Sequence, residues 1–267
     1  MKKIVLLRIF ILSLILIQIS CSNKSNSSSN DDAKQVKILS YNIRNARGND
    51  DVVDYDRISG VISRIGADCV AIQELDSATE RSGGDVVLDE IAKRTNMHAT
   101  YNKSIDYKGG GYGIGVLTRE KPISTKAVPL PGREESRSVL FVELDDYVIG
   151  CTHWSLTAED RLASVAVINE LVKVYEDKPV FLGGDFNAFS TSEEMTEIAK
   201  NWTITNDVNN FTIPSDNPKR CIDYILVKNN QSFEIETLET AVEDEPDASD
   251  HLPVWSVVRF VRADKKR

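Results

Sequence analysis

Apolar residues fall into short blocks along this chain, and most blocks end on a polar side chain. Lys37-Ile38-Leu39-Ser40-Tyr41-Asn42 alternates imperfectly, as a strand buried on both faces does, and ends on an amide. Ile58, Val61, Ile62 and Ile65 recur at helical spacing, which predicts a helix opened by Tyr55 or Asp56 and stopped by Gly66. Asp68 to Glu74 is a second strand, ending on an acid. Strand, helix, strand implies a crossover and a layered α/β architecture.

The same reading continues downstream. Leu88, Ile91 and Ala92 mark the buried face of a second helix, and Tyr112 to Thr118 a strand whose two glycines suggest close backbone approach. Gly109 to Gly111 is a loop tip. Pro122–Val128, Ser138–Leu144 and Tyr147–Thr152 form a hairpin-like series. Thr157 is the predicted N-cap of a helix, with Asp160 three residues on. Its stripe is Leu162, Val165, Ala166, Ile168, Asn169 and Val172, imperfect but amphipathic. Val180 to Leu182 reads as the end of a buried strand, after which Gly183 and Gly184 let the chain turn into Asp185 and Asn187. A short helix opens at Ser192, and strands follow at Cys221–Val227, Phe233–Leu238 and Val254–Val261. No sequence repeat is present.

Composition adds a compartment. Of 267 residues, 41% are hydrophobic, enough for a sizeable core. The first residues are a targeting segment: Lys2, Lys3 and Arg8 precede an apolar run from Ile9 to Ile17 that is too short to span a bilayer. Residues 1–20 are therefore a signal peptide. Cys21 after Ser20 resembles a bacterial lipoprotein processing site, with Gln18 where leucine is usual. It implies lipidation of Cys21, a Ser/Asn-rich tether over 21–34, and a lipid-anchored protein of the cell envelope, on the periplasmic or surface side. The folded domain is predicted over 35–261, with a charged tail over 262–267. Removing residues 1–20 takes away three bases and no acid. That leaves 29 Lys+Arg against 41 Asp+Glu, a net charge of −12. An acidic domain is a poor general binder of nucleic acid, so no stable nucleic-acid partner is expected. The membrane is met through the lipid alone, and the protein is expected to be a monomer. Cys69, Cys151 and Cys221 lie in apolar runs and read as buried free thiols.

Collected together, the polar strand ends are Asn42, Glu74, His153, Asp185, Asn187, Asp223, Asp250 and His251. One such residue caps a turn; an Asx-turn at Asp185 and Asn187, or a core hydrogen bond at Asn42 or His153, is the plain alternative. Four acids, two amides and two of the three histidines delivered the same way call for a cation to offset their repulsion. Oxygen donors without cysteine suit Mg²⁺, with Mn²⁺ as the alternative.

The ordered set SYNIRN, AIQELD, CTHWS, GGDFNAF, CIDYI and SDHLP resembles the endonuclease/exonuclease/phosphatase superfamily, which includes DNase I-like nucleases, sphingomyelinases and inositol polyphosphate 5-phosphatases. The resemblance implies a four-layer α/β sandwich, two mixed β-sheets face to face with helices outside. It implies phosphoester hydrolysis by in-line attack of water. Glu74 becomes the principal metal ligand, with Asn42 and Asp250 near the metal. Asp185 orients or deprotonates water, Asn187 and His153 contact phosphate, and Asp223 pairs with His251. Arg137, ahead of a strand, sits where relatives carry a phosphate-binding arginine; a solvated strand end is its alternative.

The substrate is less legible. Asp76, close after Glu74, would repel a nucleic-acid backbone, and the net charge agrees. Segments 103–112 and 129–137 are expected to be loops flanking the cleft. A small or lipid-derived phosphoester is favoured, with a nuclease as the alternative and a non-catalytic binding lipoprotein as the second.

Overall fold

The buried strand runs pair into two sheets. The structure, a computed structural model, describes residues 33–263. The signal peptide, Cys21 and nearly all of the tether lie outside the described residues, as does the tail beyond Ala263. The first sheet contains β1 (Lys34–Asn42), β2 (Cys69–Ser77), β3 (His98–Tyr107), β4 (Gly110–Thr118), β11 (Phe233–Val242) and β12 (Val254–Arg262), in the order β11-β12-β1-β2-β4-β3. The second contains β5 (Ser124–Leu130), β6 (Arg137–Glu143), β7 (Val148–His153), β8 (Val180–Asp185), β9 (Trp202–Ile204) and β10 (Asp223–Lys228), in the order β5-β6-β7-β8-β10-β9. Each sheet has one parallel pair at its centre, β1 with β2 and β7 with β8. Each parallel pair is joined by a crossover helix, α1 (Tyr55–Ile65) or α3 (Ala158–Leu171). The two sheets thus share one plan, although no repeat is visible in the sequence.

Three apolar layers hold the sheets. Val36, Ile38, Ala71, Val116, Ile149, Phe181 and Ile225 fill the space between them. Alternate residues, Leu39, Tyr41, Val70 and Ile72, face α1 and α2 (Val87–Thr95). Val139, Phe141, Leu182 and Leu226 face α3 and the neighbourhood of α4 (Glu193–Ile198). Burial on both faces explains why the central strands read as continuous apolar runs. Helix α1 is capped as its residues dictate: the Asp54 carboxylate accepts the Arg57 N–H at 2.9 Å, and Gly66 closes the other end at φ 70°.

Several expectations are corrected. Stretch 103–112 is no loop. It is the end of β3 and the start of β4, and Lys108 (φ 42°) and Gly109 (φ 80°) make the two-residue turn between them. Strand β9 was not anticipated. Thr157 takes the N-cap position of α3, but its hydroxyl bonds Glu134 instead of the helix backbone. The buried stripe of α3 runs through Ser164, Val165, Ile168 and Leu171, and Ala166 faces solvent. Gly183 and Gly184 do not turn the chain, because β8 continues through them to Asp185. They permit close approach: a Cβ on Gly183 would come within 2.8 Å of the Ala71 Cβ on the opposite sheet, and one on Gly184 within 2.5 Å of the Thr152 carbonyl. Cys69, Cys151 and Cys221 are buried and free.

Candidate active site

The site lies where the carboxyl ends of the two parallel pairs meet. Successive strand residues face opposite ways, so Ser40 and Asn42 on β1 share the face that looks across to the other sheet. His153 and Asp185 end β7 and β8 directly opposite each other, and Asp223 opens β10 opposite Asp185.

Glu74 needs a special device. In a regular strand it would share the helix-facing side of Val70 and Ile72. The β2–β4 register shifts between Ile72 and Leu75, and Glu74 takes φ 62°. This bulge turns its carboxylate toward Asn42, whose Nδ2 donates to Glu74 Oε1 at 3.0 Å. A left-handed backbone at a non-glycine residue is unfavourable by about 1–2 kcal/mol, so the surrounding sheet must hold it.

Asp185 is the hub. Its Oδ2 accepts from Asn42 Nδ2 at 3.1 Å and lies 3.5 Å from His153 Nε2 and 3.8 Å from His251 Nε2. Its Oδ1 accepts the Asn187 N–H at 2.9 Å, an Asx-turn in which Asn187 takes φ 48°. The Asn187 amide donates to the Trp154 carbonyl at 3.0 Å. The turn and the placement in the cleft therefore coexist. His251 Nδ1 lies 3.0 Å from Asp223 Oδ2, which also accepts from Thr212 Oγ1. Asn42, Asp185, Asp223 and His251 are all at most 4% exposed.

Burial and charge drive the two histidines apart. Burial disfavours the charged form of His153, and Arg137 reinforces this against the opposing pull of Asp185, lowering its pKa to about 4. Burial acts the same way on His251, but Asp223 and Asp185 outweigh it and raise the pKa to about 10. One imidazole is neutral and the other charged within reach of one carboxylate oxygen. Burial also pushes the Glu74 carboxyl upward; the Asn42 hydrogen bond opposes this, while Asp250 and Asp185 add to it.

Two groups could hold a divalent ion. Asp185, Asp223 and His251 offer ligand atoms within 4.8 Å of one another. Asp223 and His251 Nδ1 already satisfy each other, however, which leaves that trio few free lone pairs. Around Glu74 the donors are oxygens, and the half-buried carboxylate has neighbouring acids with one amide as hydrogen-bond partner. Asp250 stands at the mouth, 3.8 Å from Arg44 Nε. A hard cation suits that surplus of negative charge.

Arg137 is not a solvated strand end: it is 7% exposed, with Nη1 3.1 Å from Glu135. Asp76 does not face the cleft as a free charge. It is fully buried and held by Arg81 at 2.6 and 2.8 Å and by Thr79 at 2.6 Å. Three further residues were missed from the sequence. Ser249 donates to the Asn42 carbonyl at 2.8 Å, Thr212 braces Asp223, and Arg44 faces Asp250. Ser249 precedes Asp250 and could have been read with it; Thr212 carries no local signal.

The sequence profile of the Endonuclease/Exonuclease/phosphatase family matches residues 39–251. No curated protein sequence matches the chain. Among solved structures, an endonuclease/exonuclease/phosphatase from Beutenbergia cavernae superposes with a TM-score of 0.71 at 22% identity, covering 85% of this chain and 72% of that one. A mannosyl-6-phosphatase from Bacteroides thetaiotaomicron gives 0.65 at 18%, covering 84% and 99%. TDP2 from D. rerio, complexed with a single-strand DNA product, gives 0.65 at 16%, also covering 84% and 99%. These likenesses show the four-layer sandwich. With the profile spanning most of the chain and its ends falling at Leu39 and His251, the chain belongs to the endonuclease/exonuclease/phosphatase family.

Proposed function

We propose that this protein is a divalent-metal-dependent hydrolase of a small or lipid-derived phosphoester. The observation that carries the reading is the relay Asp223–His251–Asp185, buried and joined by Asn42 to Glu74 on the other sheet. Asp185 orients an attacking water and accepts its proton. The water oxygen bonds to phosphorus as the ester P–O bond breaks in line. His251, kept charged by Asp223, braces the phosphate oxygens. His153, Asn187 and Arg137 contact the phosphate. Glu74, with Asn42 and Asp250, would hold Mg²⁺ or Mn²⁺. That ion would offset negative charge on the phosphate and the leaving oxygen.

The likeness to a mannosyl-6-phosphatase supports a small substrate, as does the net charge of −12 for a chain without residues 1–20. The likeness to TDP2 with a DNA product supports the nuclease alternative, and the internal pairing of Asp76 removes one objection to it. The N-terminal sequence supports a lipid-anchored envelope protein, and the acidic balance supports the absence of a stable nucleic-acid partner; a monomer is proposed with them. No helix among the described residues is long and apolar enough to cross a membrane.

The test compares bis-p-nitrophenyl phosphate, p-nitrophenyl phosphate and a supercoiled plasmid, each in Mg²⁺ and in EDTA. Asp185→Asn is the control. Metal-dependent cleavage of a small ester, lost in the variant, is the expected result. Plasmid nicking that Glu74→Gln abolishes would move the assignment to a nuclease, and activity surviving rigorous chelation would remove the metal.

A further inference from the structure

The polar residues at the site edge line up strand by strand, and the row continues past Glu74. Strands β1, β2 and β4 are neighbours in the first sheet, and β8, β7 and β6 in the second. β1 packs over β8, β2 over β7, and β4 over β6. The first pair carries Asn42 and Asp185, and the second carries Glu74 and His153. The third brings Tyr112 of β4 to the same edge as Arg137, the first residue of β6. Strand β4 runs antiparallel to β2, so its first residues lie where β2 ends, and Tyr112 pairs with Asp76, two residues past Glu74. Its side chain shares the face of Ile114 and Val116, which fill the space between the sheets. One step inward, Asn102 pairs with Ile114 and donates to Ser138 on β6 at 2.9 Å. The sheets meet there, and the opening begins at Tyr112.

The tyrosine is held by a wall. Fully buried Asp76 fixes the Arg81 guanidinium through Nη2 at 2.6 Å and Nε at 2.8 Å. That guanidinium lies 4.9 Å from the Tyr107 ring centre and 5.8 Å from the Tyr112 ring centre, and the two rings are 5.8 Å apart. Tyr112 is half-buried, and its hydroxyl has no hydrogen-bond partner among the described residues. The charges that act on it are Glu74 on its own sheet, Glu135 and Arg137 of the other half, and Arg81 beside it. Burial, with the two carboxylates, pushes its pKa up, so the phenol keeps its proton at neutral pH and is a donor.

We propose that Tyr112 is a further substrate-contacting residue, its hydroxyl donating to a non-bridging phosphoryl oxygen in the cleft. The inference rests on the phosphoesterase reading, which puts the phosphoryl group between the ion at Glu74 and the His153 side of the other sheet. A phosphoryl group there turns one oxygen toward the next strand pair, where Tyr112 is a free donor. Being neutral, the phenol adds a hydrogen bond without adding charge beside the metal ligands. The plain alternative, a ring that only packs on Tyr107 and Arg81, makes the hydroxyl dispensable.

The test is calorimetric titration of inorganic phosphate into the full-length protein in detergent and excess Mg²⁺. Wild type is compared with Tyr112→Phe and Tyr107→Phe. Phenylalanine preserves the ring contacts, and Tyr107 sits at the hairpin end, opposite Gly110. Melting temperature and Mg²⁺ affinity are measured for each protein. Tyr112→Phe is expected to weaken phosphate binding by about tenfold to a hundredfold, the range for one hydrogen bond to a charged group. Its melting temperature and Mg²⁺ affinity should stay those of wild type, and Tyr107→Phe should bind phosphate as wild type does. Unchanged phosphate affinity in Tyr112→Phe, equal weakening in both variants, weakening that comes with lost Mg²⁺ affinity, or no phosphate binding by wild type would each overturn the contact. Binding is read without turnover. A protein that holds phosphate through Tyr112 and cleaves no ester would sink the enzyme assignment and leave this contact standing.

Discussion

Replacing Glu74 by Gln should make the metal-free protein more stable while removing its response to metal. Asn42 Nδ2 donates to Glu74 at 3.0 Å and to Asp185 at 3.1 Å. The two carboxylates therefore stand within roughly 6 Å of each other, where like charges repel by about 3 kcal/mol at an effective dielectric of 20. Asp250 adds to this repulsion, and burial adds a larger desolvation penalty. Proton uptake by Glu74 and the positive charge of His251 relieve part of it, so a net gain of about 1–2 kcal/mol is expected for the neutral isostere. For a domain of this size that raises the melting temperature by about 2–8 °C. The sign follows from the direction of the shift. The folded state holds the Glu74 proton more tightly than the unfolded chain, so its charge destabilises the fold above the ordinary value of 4.5. The penalty fades as pH falls below that value, and the advantage of Glu74→Gln should fade with it. Calorimetry in EDTA at pH 7.5 and at pH 4, then in excess Mg²⁺ at pH 7.5, reads all three terms. Wild type should gain about 2.7 kcal/mol at a hundredfold excess of Mg²⁺ over its dissociation constant, and the variant almost nothing. A variant that melts below wild type in EDTA, or gains as much from Mg²⁺, would refute the placement of the ion at Glu74.

Other perturbations address separate parts of the structure. In metal-free protein, NMR titration should find His153 neutral down to about pH 4 and His251 charged up to about pH 10. Either ring titrating between pH 6 and 8, assigned with His→Asn variants, would contradict the opposed environments. Asp76→Asn should lower stability by about 1–3 kcal/mol in urea unfolding, because it breaks the ion pair between buried Asp76 and half-buried Arg81; a loss below about 0.5 kcal/mol would mean the pair is dispensable. Gly183→Val should destabilise by about 3 kcal/mol or prevent folding, since its side chain would push on Ala71 and Ser40; wild-type stability would show that the sheets can part there. Cys21→Ser should move the protein from the membrane fraction to the soluble one, and continued attachment would exclude the lipid anchor.

The site was legible in the sequence as a set of polar residues ending apolar strands, because strand ends at one edge of a sandwich converge whatever their loops do. The device at Glu74 was not. A bulge depends on how β2 registers against β4, a partner nearly forty residues away, and AIQELD reads equally well as regular strand. The glycines of β8 were noticed for the wrong reason, since the atoms they accommodate belong to Ala71, Ser40 and Thr152. The role of Asp76 was misread because its partner Arg81 lies in a polar loop without periodic signal. The stripe of α3 was blurred by Ser164 and Asp160, polar residues buried by specific partners, Ser164 on the Asp160 carbonyl and Asp160 on Arg133. Local pattern thus located the chemistry, while long-range pairing determined how each group is aimed.

The repeated plan of the two sheets divides the chemistry between halves of the molecule. One half carries Asn42, Glu74, Asp250 and His251; the other carries His153, Asp185, Asn187 and Asp223. Two hydrogen-bonded links, Asn42 to Asp185 and His251 to Asp223, stitch across the seam. A slide of one half past the other by about an ångström would strain both stitches together, given how steeply hydrogen bonds depend on distance. On the phosphoesterase reading, catalytic competence would be a property of assembly: a chain with only one half in place would hold an incomplete complement. The spacing set by Ser40, Ala71 and Gly183 serves as the gauge of the whole machine, and substitutions along that seam can retune it without touching any reacting group.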